Sequence, residues 1–500
     1  MMHGRFLRHE KISWRSGLIC PIAVALGACA VGPNYVRPTA PTPAEFKESK
    51  GWKAAEPKDQ LPRGKWWEVY GDKDLDALME QVNVSNQNIK QAEAQYRAAR
   101  ALVQAARAAY FPTVSAAASV TRAPGGSVVV TGAGSSGSST IPGTTGKVSD
   151  TYTASLDASW EIDIWGKLRR AAENATENMK ASAADLEAAR LSAQAELALD
   201  YFLLRITDEE KRLYEANVAG LEKSLNITQN QYKVGVAAQS DVAQAQTQLK
   251  STQAAAIDLA IQRGQLEHAI AVLVGKAASD YSLPPTPLAV KIPDIPLDQP
   301  SDLLERRPDI AASERLVAAA NANIGVAKAA YYPSLSLSGA LGYENASLNH
   351  LFTLGNRFWS VGPSLAETLF DGGARHALTN QAIANYDASV AVYRQTVLAA
   401  FQDTEDNLVS LRVLADEVTV QDEATKAADE SQAIALNQYK SGVVSYLNVI
   451  VAETAALTNE RASLTVRGRQ LASSVALIKS LGGSWNPGTG SLIPNSAGNR

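Results

Sequence analysis

The sequence predicts a mainly α chain carrying membrane β-strands and built as an internal two-fold repeat. Three features lead there. First, words recur at long, nearly constant offsets. Ala108-Ala109-Tyr110-Phe111-Pro112 returns 221 residues later as Ala329-Ala330-Tyr331-Tyr332-Pro333, and Asn230-Gln231-Tyr232-Lys233 returns 207 residues later as Asn437-Gln438-Tyr439-Lys440. Second, residues 143–283 and 364–486 contain no proline and are rich in Ala, Gln, Glu and Leu, as long helices require. Third, two alternating segments of about nine residues precede each long helical stretch, the length of a tilted strand crossing a bilayer. Soluble hairpins alternate in the same way, so the strands alone leave the membrane open.

The elements follow in order. Residues 1–28 place Arg5, Arg8, Lys11 and Arg15 before an apolar run from Gly17 to Leu26, the order of an export leader. Leu26-Gly27-Ala28-Cys29 resembles a bacterial lipobox, in which small residues fit the peptidase cleft and the Cys29 thiol takes diacylglycerol. A plain secretory leader with an incidental cysteine is the alternative. Ala30 after the cysteine resembles an outer-membrane sorting signal. Covalent diacylglycerol and an N-acyl lipid on Cys29 are the only non-protein groups expected, and several chains on one cysteine anchor stably. Residues 29–74 form an extended N-terminal segment.

The first repeat occupies 75–276. A helix from about 75 to 110 stops at Tyr110-Phe111-Pro112, and strands Thr113–Thr121 and Tyr152–Trp160 make a hairpin over 113–160. The two offsets differ by 14 residues, and the Gly/Ser/Thr-rich stretch 123–150 holds the surplus as a long exposed loop. A helix from about Lys167 to Gln231 would run about 100 Å. It reverses at Val234-Gly235-Val236, where Gly235 suits the positive φ that closes a helix. The returning limb shows a 3-4 seam through Val242, Ala245, Leu249, Thr252, Ala256, Leu259, Arg263, Leu266, Ile270 and Leu273.

Residues 277–308 are a Pro-rich linker. The second repeat, 309–483, has strands Ser334–Gly342 and Trp359–Glu367 in a hairpin over 334–367, then a long helix, a tip at Ser441-Gly442-Val443 and a return. Its seam reads Leu447, Ile450, Thr454, Leu457, Arg461, Leu464, Gly468, Leu471, Val475 and Ile478. Residues 484–500 are a flexible tail. Seams this rich in small and polar residues fit a rolled sheet of helices with a wet inner face, and an ordinary helical bundle fits the periodicity too.

Composition narrows the chemistry. The 500 residues carry a net charge of −4, against a nucleic-acid binder. Without the leader, 43 Lys+Arg face 50 Asp+Glu. Two cysteines and five scattered histidines offer no metal-ligand spacing, and no Gly-x-Ser-x-Gly or nucleotide loop appears, so no enzyme, metal or soluble cofactor is expected. Four strands per chain cannot close a barrel in lipid, so if the strands span a membrane several chains must share one.

Longer motifs carry a resemblance. Cys29-Ala30-Val31-Gly32-Pro33-Asn34-Tyr35, Trp66-Trp67, Asp74-Leu75-Asp76-Ala77-Leu78, Asn86-Gln87-Asn88-Ile89, Pro300 through Ile310 and Leu369-Phe370-Asp371-Gly372-Gly373 appear in order. Together they resemble the outer-membrane efflux factors of the TolC-like family, in the lipoprotein branch that works with resistance-nodulation-division pumps. The resemblance implies a homotrimer with a shared 12-stranded β-barrel, an antiparallel coiled-coil α-barrel and an equatorial belt to which 29–74 contributes. It implies a lipid-anchored outer-membrane channel with a periplasmic extension, a passive exit duct for drugs or other small molecules. An inner-membrane pump would drive it through a periplasmic adaptor touching Val234, Gly235, Val236, Ser441, Gly442 and Val443. Asp241 matches the family's tip aspartate and Tyr439 is retained, which makes both pore-gating candidates, although Asp241 just before Val242 also suits a helix cap. The second tip departs from the best-known member, with Val444, Asn448 and Val451 where that protein has an arginine and aspartates. Arg306-Arg307 reads as a structural hydrogen-bonding cluster and Asp371-Gly372-Gly373 as a turn into a helix. The same fold also serves type I protein secretion, and a periplasmic coiled-coil adaptor is the alternative outside it.

Overall fold

The computed structural model describes residues 30–43, 45–48, 65–124, 128–130, 139–141, 148–288, 292–293 and 306–483. The leader, Cys29, linker residues 289–291 and 294–305, and the tail 484–500 lie outside the described residues. The chain forms two compact units, each discontinuous in sequence: one from residues up to 37, 98–179 and 315–390, the other from 38–97, 180–314 and 391 onward.

The helices come first in chain order. A 3-10 turn at Trp66–Tyr70 leads into α1 (Lys73–Ser85) and α2 (Gln87–Ala108). The single helix expected over 75–110 is therefore two. Asn86 breaks it with an extended ψ of 127°. Its Oδ1 accepts the Asn88 and Ile89 N–H groups at 2.9 and 3.1 Å, capping α2, while its Nδ2 donates to the Leu273 carbonyl.

The first unit holds the sheet. Strands β1 (Thr113–Pro124), β4 (Val148–Ile162), β5 (Ser334–Asn345) and β6 (Arg357–Ala366) pair antiparallel in that order. The stretch 123–150 departs from the expected plain loop. Its ends extend β1 and β4, and a ribbon of β2 (Val128–Val130) and β3 (Ser139–Ile141) stands between them. The β-branched run Val128-Val129-Val130 outweighs its Gly/Ser flanks.

Two long helices, α3 (Lys167–Lys233) and α6 (Ala374–Lys440), have 67 residues each, and their returns, α4 (Gln239–Leu273) and α7 (Tyr446–Ser480), have 35 each. Between the repeats lies α5 (Pro308–Ala329). An aspartate starts each long helix. Asp163 accepts the Leu168 and Arg169 N–H groups at 3.1 and 2.9 Å. Asp371 accepts from Arg375 N–H, the Arg375 guanidinium and Gly373 N–H, and these bonds hold its carboxyl down at about 2. Asp371-Gly372-Gly373 is thus a turn into a helix, with both glycines at positive φ.

The two seams differ. All ten first-seam positions on α4 are buried or half-buried. On α7 seven of the ten seam positions are buried or half-buried, and fully buried ones come only away from the tip, at Leu471, Val475 and Ile478. Nearer the tip the buried stripe is Tyr446, Val449, Ala452, Glu453 and Ala456, while Leu447 is 55% exposed and Thr454 and Arg461 are also exposed. Tyr446 is larger than Leu447 and packs its ring 5.2 Å from Tyr439, which turns that face inward. Arginine at a seam position has partners: Arg263 meets Asp208 at 2.7 Å, and Arg461 meets Glu210 at 2.6 Å.

The second unit centres on Trp66, Trp67, Tyr70, Leu75, Met79, Val82, Tyr201 and Phe202, all buried. Trp66 donates to Gln194 Oε1 at 3.0 Å, Tyr70 shares a 2.8 Å bond with Ser474, and Tyr201 donates to Asp72 at 2.7 Å. The linker leaving α4 is strapped down through its backbone: Leu283 N–H donates to Glu267 and Leu288 N–H to Glu209. Arg307 forms the structural cluster read from sequence, bonding Asp309, Asp403 and the Ser480 carbonyl.

Candidate functional site

The sheet is two-faced, and its register makes it so. Leu156 sits opposite Ala116 on one side and Leu341 on the other, and Leu341 sits opposite Trp359. Because successive side chains alternate faces, the same rows collect Val114, Val120, Leu337, Val361 and Leu365 on that face. Val114, Val361 and Leu365 are about 70% exposed and Trp359 is 72% exposed. The opposite face carries Ser115, Ser119, Asp157, Ser336, Ser338 and Ser364. Tyr152 and Trp160 mark the two ends of the apolar band on β4, about 27 Å apart along the strand. An apolar face bounded by aromatic residues is the surface a β-strand turns to lipid. The outer edges of β1 and β6 pair with no strand among the described residues. No helix among the described residues is long and apolar enough to cross a membrane.

The tips have the geometry of closed helix ends. Gly235 has φ 80° and Gly442 φ 74°. Val236 N–H donates to the Gln231 carbonyl and Val443 N–H to the Gln438 carbonyl, each at 2.9 Å, so both turns satisfy carbonyls that a helix end leaves open. Val234, Val236 and Val443 are 69–74% exposed, and Ser441 is exposed as well. Exposed valines on turns whose backbone is already satisfied are suited to docking on another apolar surface, and exposed Lys233 and Lys440 border them.

The structure does not join the two gating candidates by a hydrogen bond. Asp241, half-buried, accepts the Ala238 N–H at 3.2 Å and so caps its own helix. Tyr439 is buried, and its hydroxyl donates to Thr228 Oγ1 at 3.1 Å, tying the second hairpin to α3. Its counterpart Tyr232 is 45% exposed, so repeats alike in backbone differ in packing.

Sequence reasoning missed the residues that hold the N-terminal segment. Buried Arg170 donates to the Val31 and Gly32 carbonyls and to Asn34 Oδ1, and Asn321 donates to the Pro33 carbonyl. Gly32, at φ 100°, lies so close to Gly325 that a Cβ there would stand 2.5 Å from the Gly325 Cα. The segment from Val31 to Asn34 is thereby fixed against α3 and α5. Glu173, three residues on, also pairs with Arg170, but the partners that tie it to the N-terminal segment are more than 130 residues away.

Known proteins decide what this surface belongs to. The profile of the outer membrane efflux proteins matches residues 78–276 and 299–483. The chain belongs to the outer membrane efflux protein family. This efflux protein is 30% identical over 471 residues to the probable efflux pump outer membrane protein TtgC of Pseudomonas putida, covering 94% of this chain and 95% of TtgC. It shares the same identity and coverage with the antibiotic efflux pump outer membrane protein ArpC of Pseudomonas putida. Among solved structures, the outer-membrane channel OprN superposes with a TM-score of 0.82 at 30% identity, over 91% of this chain and 99% of that one. The efflux protein is accordingly an outer-membrane channel of a tripartite efflux system.

Proposed function

We propose that three copies of this chain close a 12-stranded barrel and form a passive exit duct for drugs or other small molecules. Under this reading an inner-membrane resistance-nodulation-division pump drives export, and a periplasmic adaptor docks on the valine-tipped turns at Gly235 and Gly442. The observation that carries it is the four-stranded sheet with one apolar face, one polar face and two open edges. Such a sheet is stable in lipid only when copies pair edge to edge. ArpC is named for antibiotic efflux, which favours small molecules over proteins as cargo.

Reconstitution tests the duct. The purified full-length protein should run as a heat-sensitive trimer and conduct in planar bilayers, whereas a monomer without conductance would refute the reading. In the same recordings Asp241→Asn separates the two roles of that residue. Three carboxylates at a narrow end favour cations, while asparagine keeps the side-chain oxygen with which Asp241, at the third helical position, accepts the Ala238 N–H. Weaker cation preference with unchanged heat stability assigns Asp241 to the pore. Wild-type selectivity leaves it a cap.

The duct is also lipid-anchored in this reading. Mass spectrometry of the mature N-terminus should find Cys29 acylated, its mass raised by diacylglycerol and an N-acyl chain. An unmodified Ala30 start or an intact leader would end the lipoprotein assignment. Arg170 and Asn321 then hold the segment just beyond the lipid against the first unit.

A further inference from the structure

Above the tips, α3, α6 and α7 line a half-open cleft of about 200 Å³. Leu213, Ala216, Gly220 and Leu221 give it an apolar wall, and Asn217, Gln432, Glu453 and Glu460 supply its polar groups. Glu453 is 4% exposed. Its Oε1 accepts from Ser224 at 3.1 Å, but its Oε2 is buried without a hydrogen-bond partner. A buried carboxylate oxygen left in that state calls for a donor. The cleft lining holds no lysine or arginine, and the nearest arginine in sequence, Arg461, is engaged by Glu210.

We infer that this cleft binds a linear alkyl diammonium, one ammonium at Glu453 and the other at Glu460. The two glutamates are seven residues apart on α7, which places them on one helical face about 10 Å apart along the axis. A four-carbon diamine with a hydrogen bond at each end spans that separation, and its methylenes meet the wall of Leu213, Ala216 and Leu221. A metal ion fits less well, because among the described residues no three or more His, Cys, Asp or Glu side chains converge as a metal site. The acidic field is consistent with a dication. Burial raises both glutamates above the usual carboxylate range, and Asp429 on α6 pushes Glu460 further. Burial also raises Asp429, and burial, followed by the charge of Glu453, raises Tyr446 on α7. Because Ser224 and Gly220 lie on the first hairpin and both glutamates on the second, an occupant would clamp one hairpin to the other near the adaptor-facing end.

The test is calorimetric titration of the full-length protein in detergent with 1,4-diaminobutane, against sodium chloride of equal ionic strength. Wild type should bind the diamine and give no matching heat with sodium. Glu453→Gln, which keeps shape and loses charge, should weaken binding about tenfold. Gly220→Leu should abolish it, since a Cβ at Gly220 meets nothing within 4 Å and the side chain fills the cleft. Butylamine, with one ammonium, should bind about tenfold more weakly than the diamine. Heat-sensitive trimer mobility shows that each variant is folded. Absent wild-type binding, equal heat from sodium, unchanged affinity in folded Glu453→Gln, or equal affinity for butylamine would each overturn the inference.

Discussion

Replacing Asp208 by alanine should destabilise the helical unit by about 3–5 kcal/mol, the cost of stripping the partner from a buried charge. Asp208 lies between two arginines and is itself 5% exposed at its side chain. Arg263 donates Nε to Oδ1 at 2.7 Å, and Arg205, 2% exposed, approaches Oδ2 at 3.4 Å. The guanidiniums do more than pair with it. Arg205 also donates to the Pro284 carbonyl and lies over the Tyr201 ring, and Arg263 donates to the Leu283 carbonyl. The aspartate therefore orients the two side chains that hold the start of the linker. Alanine should both lower the temperature at which trimer mobility is lost and open residues 281–288 to limited proteolysis. Asparagine keeps an acceptor for Arg263 and should cost about half as much. An alanine variant with wild-type melting and protease resistance would show that Glu267 and Asp74 suffice for these arginines.

Trp66→Ala should cost about 3–5 kcal/mol as a large aromatic truncation in a packed core. The ring is 1% exposed, sits edge-on to Trp67 at 6.0 Å, and leaves Gln194 Oε1 without its donor when removed. Gln194 also donates to Asn83, so the loss reaches α1. Its neighbour provides the contrast. Trp67 is equally buried, but its indole N–H has no partner, so Trp67→Phe loses ring volume while removing an unsatisfied donor. The two terms oppose, and that variant should lie within about 1 kcal/mol of wild type. Thermal loss of trimer mobility ranks the two. Equal melting temperatures for Trp66→Ala and Trp67→Phe would contradict this ordering.

What the residues announce locally could be read in advance. Proline-free spans gave the long helices, Gly235 and Gly442 gave their reversals, and the Tyr-aromatic-Pro words gave the entry to each strand pair. Asn86 was overlooked although its chemistry is local, because the apolar pattern runs on across it through Val82 and Ile89. The α7 stripe was misplaced for a different reason. A helix in a wall touches neighbours on two sides, so Leu447 and Tyr446 both satisfy a 3-4 spacing, and only packing against Tyr439 selects between them. Arg170, Asp208 and Glu453 were beyond reach altogether. Each acquires its meaning from a partner on another element, and the neighbours Glu173 and Arg205, three residues from Arg170 and Asp208, form no distinctive local pattern.

The register of the sheet has a consequence for how such a chain can change over time. Each strand shows its even-numbered or its odd-numbered residues to one medium, and Leu156 and Asp157 are adjacent. Adding one residue in the middle of β4 would transpose parity beyond that point, turning carboxylates and serines toward hydrocarbon and leucines toward water. Length in β1, β4, β5 and β6 is therefore free to drift only in steps of two, unless a bulge absorbs the odd residue. The stretch between β1 and β4 is under no such arithmetic. It is where the first repeat carries most of its 14 surplus residues.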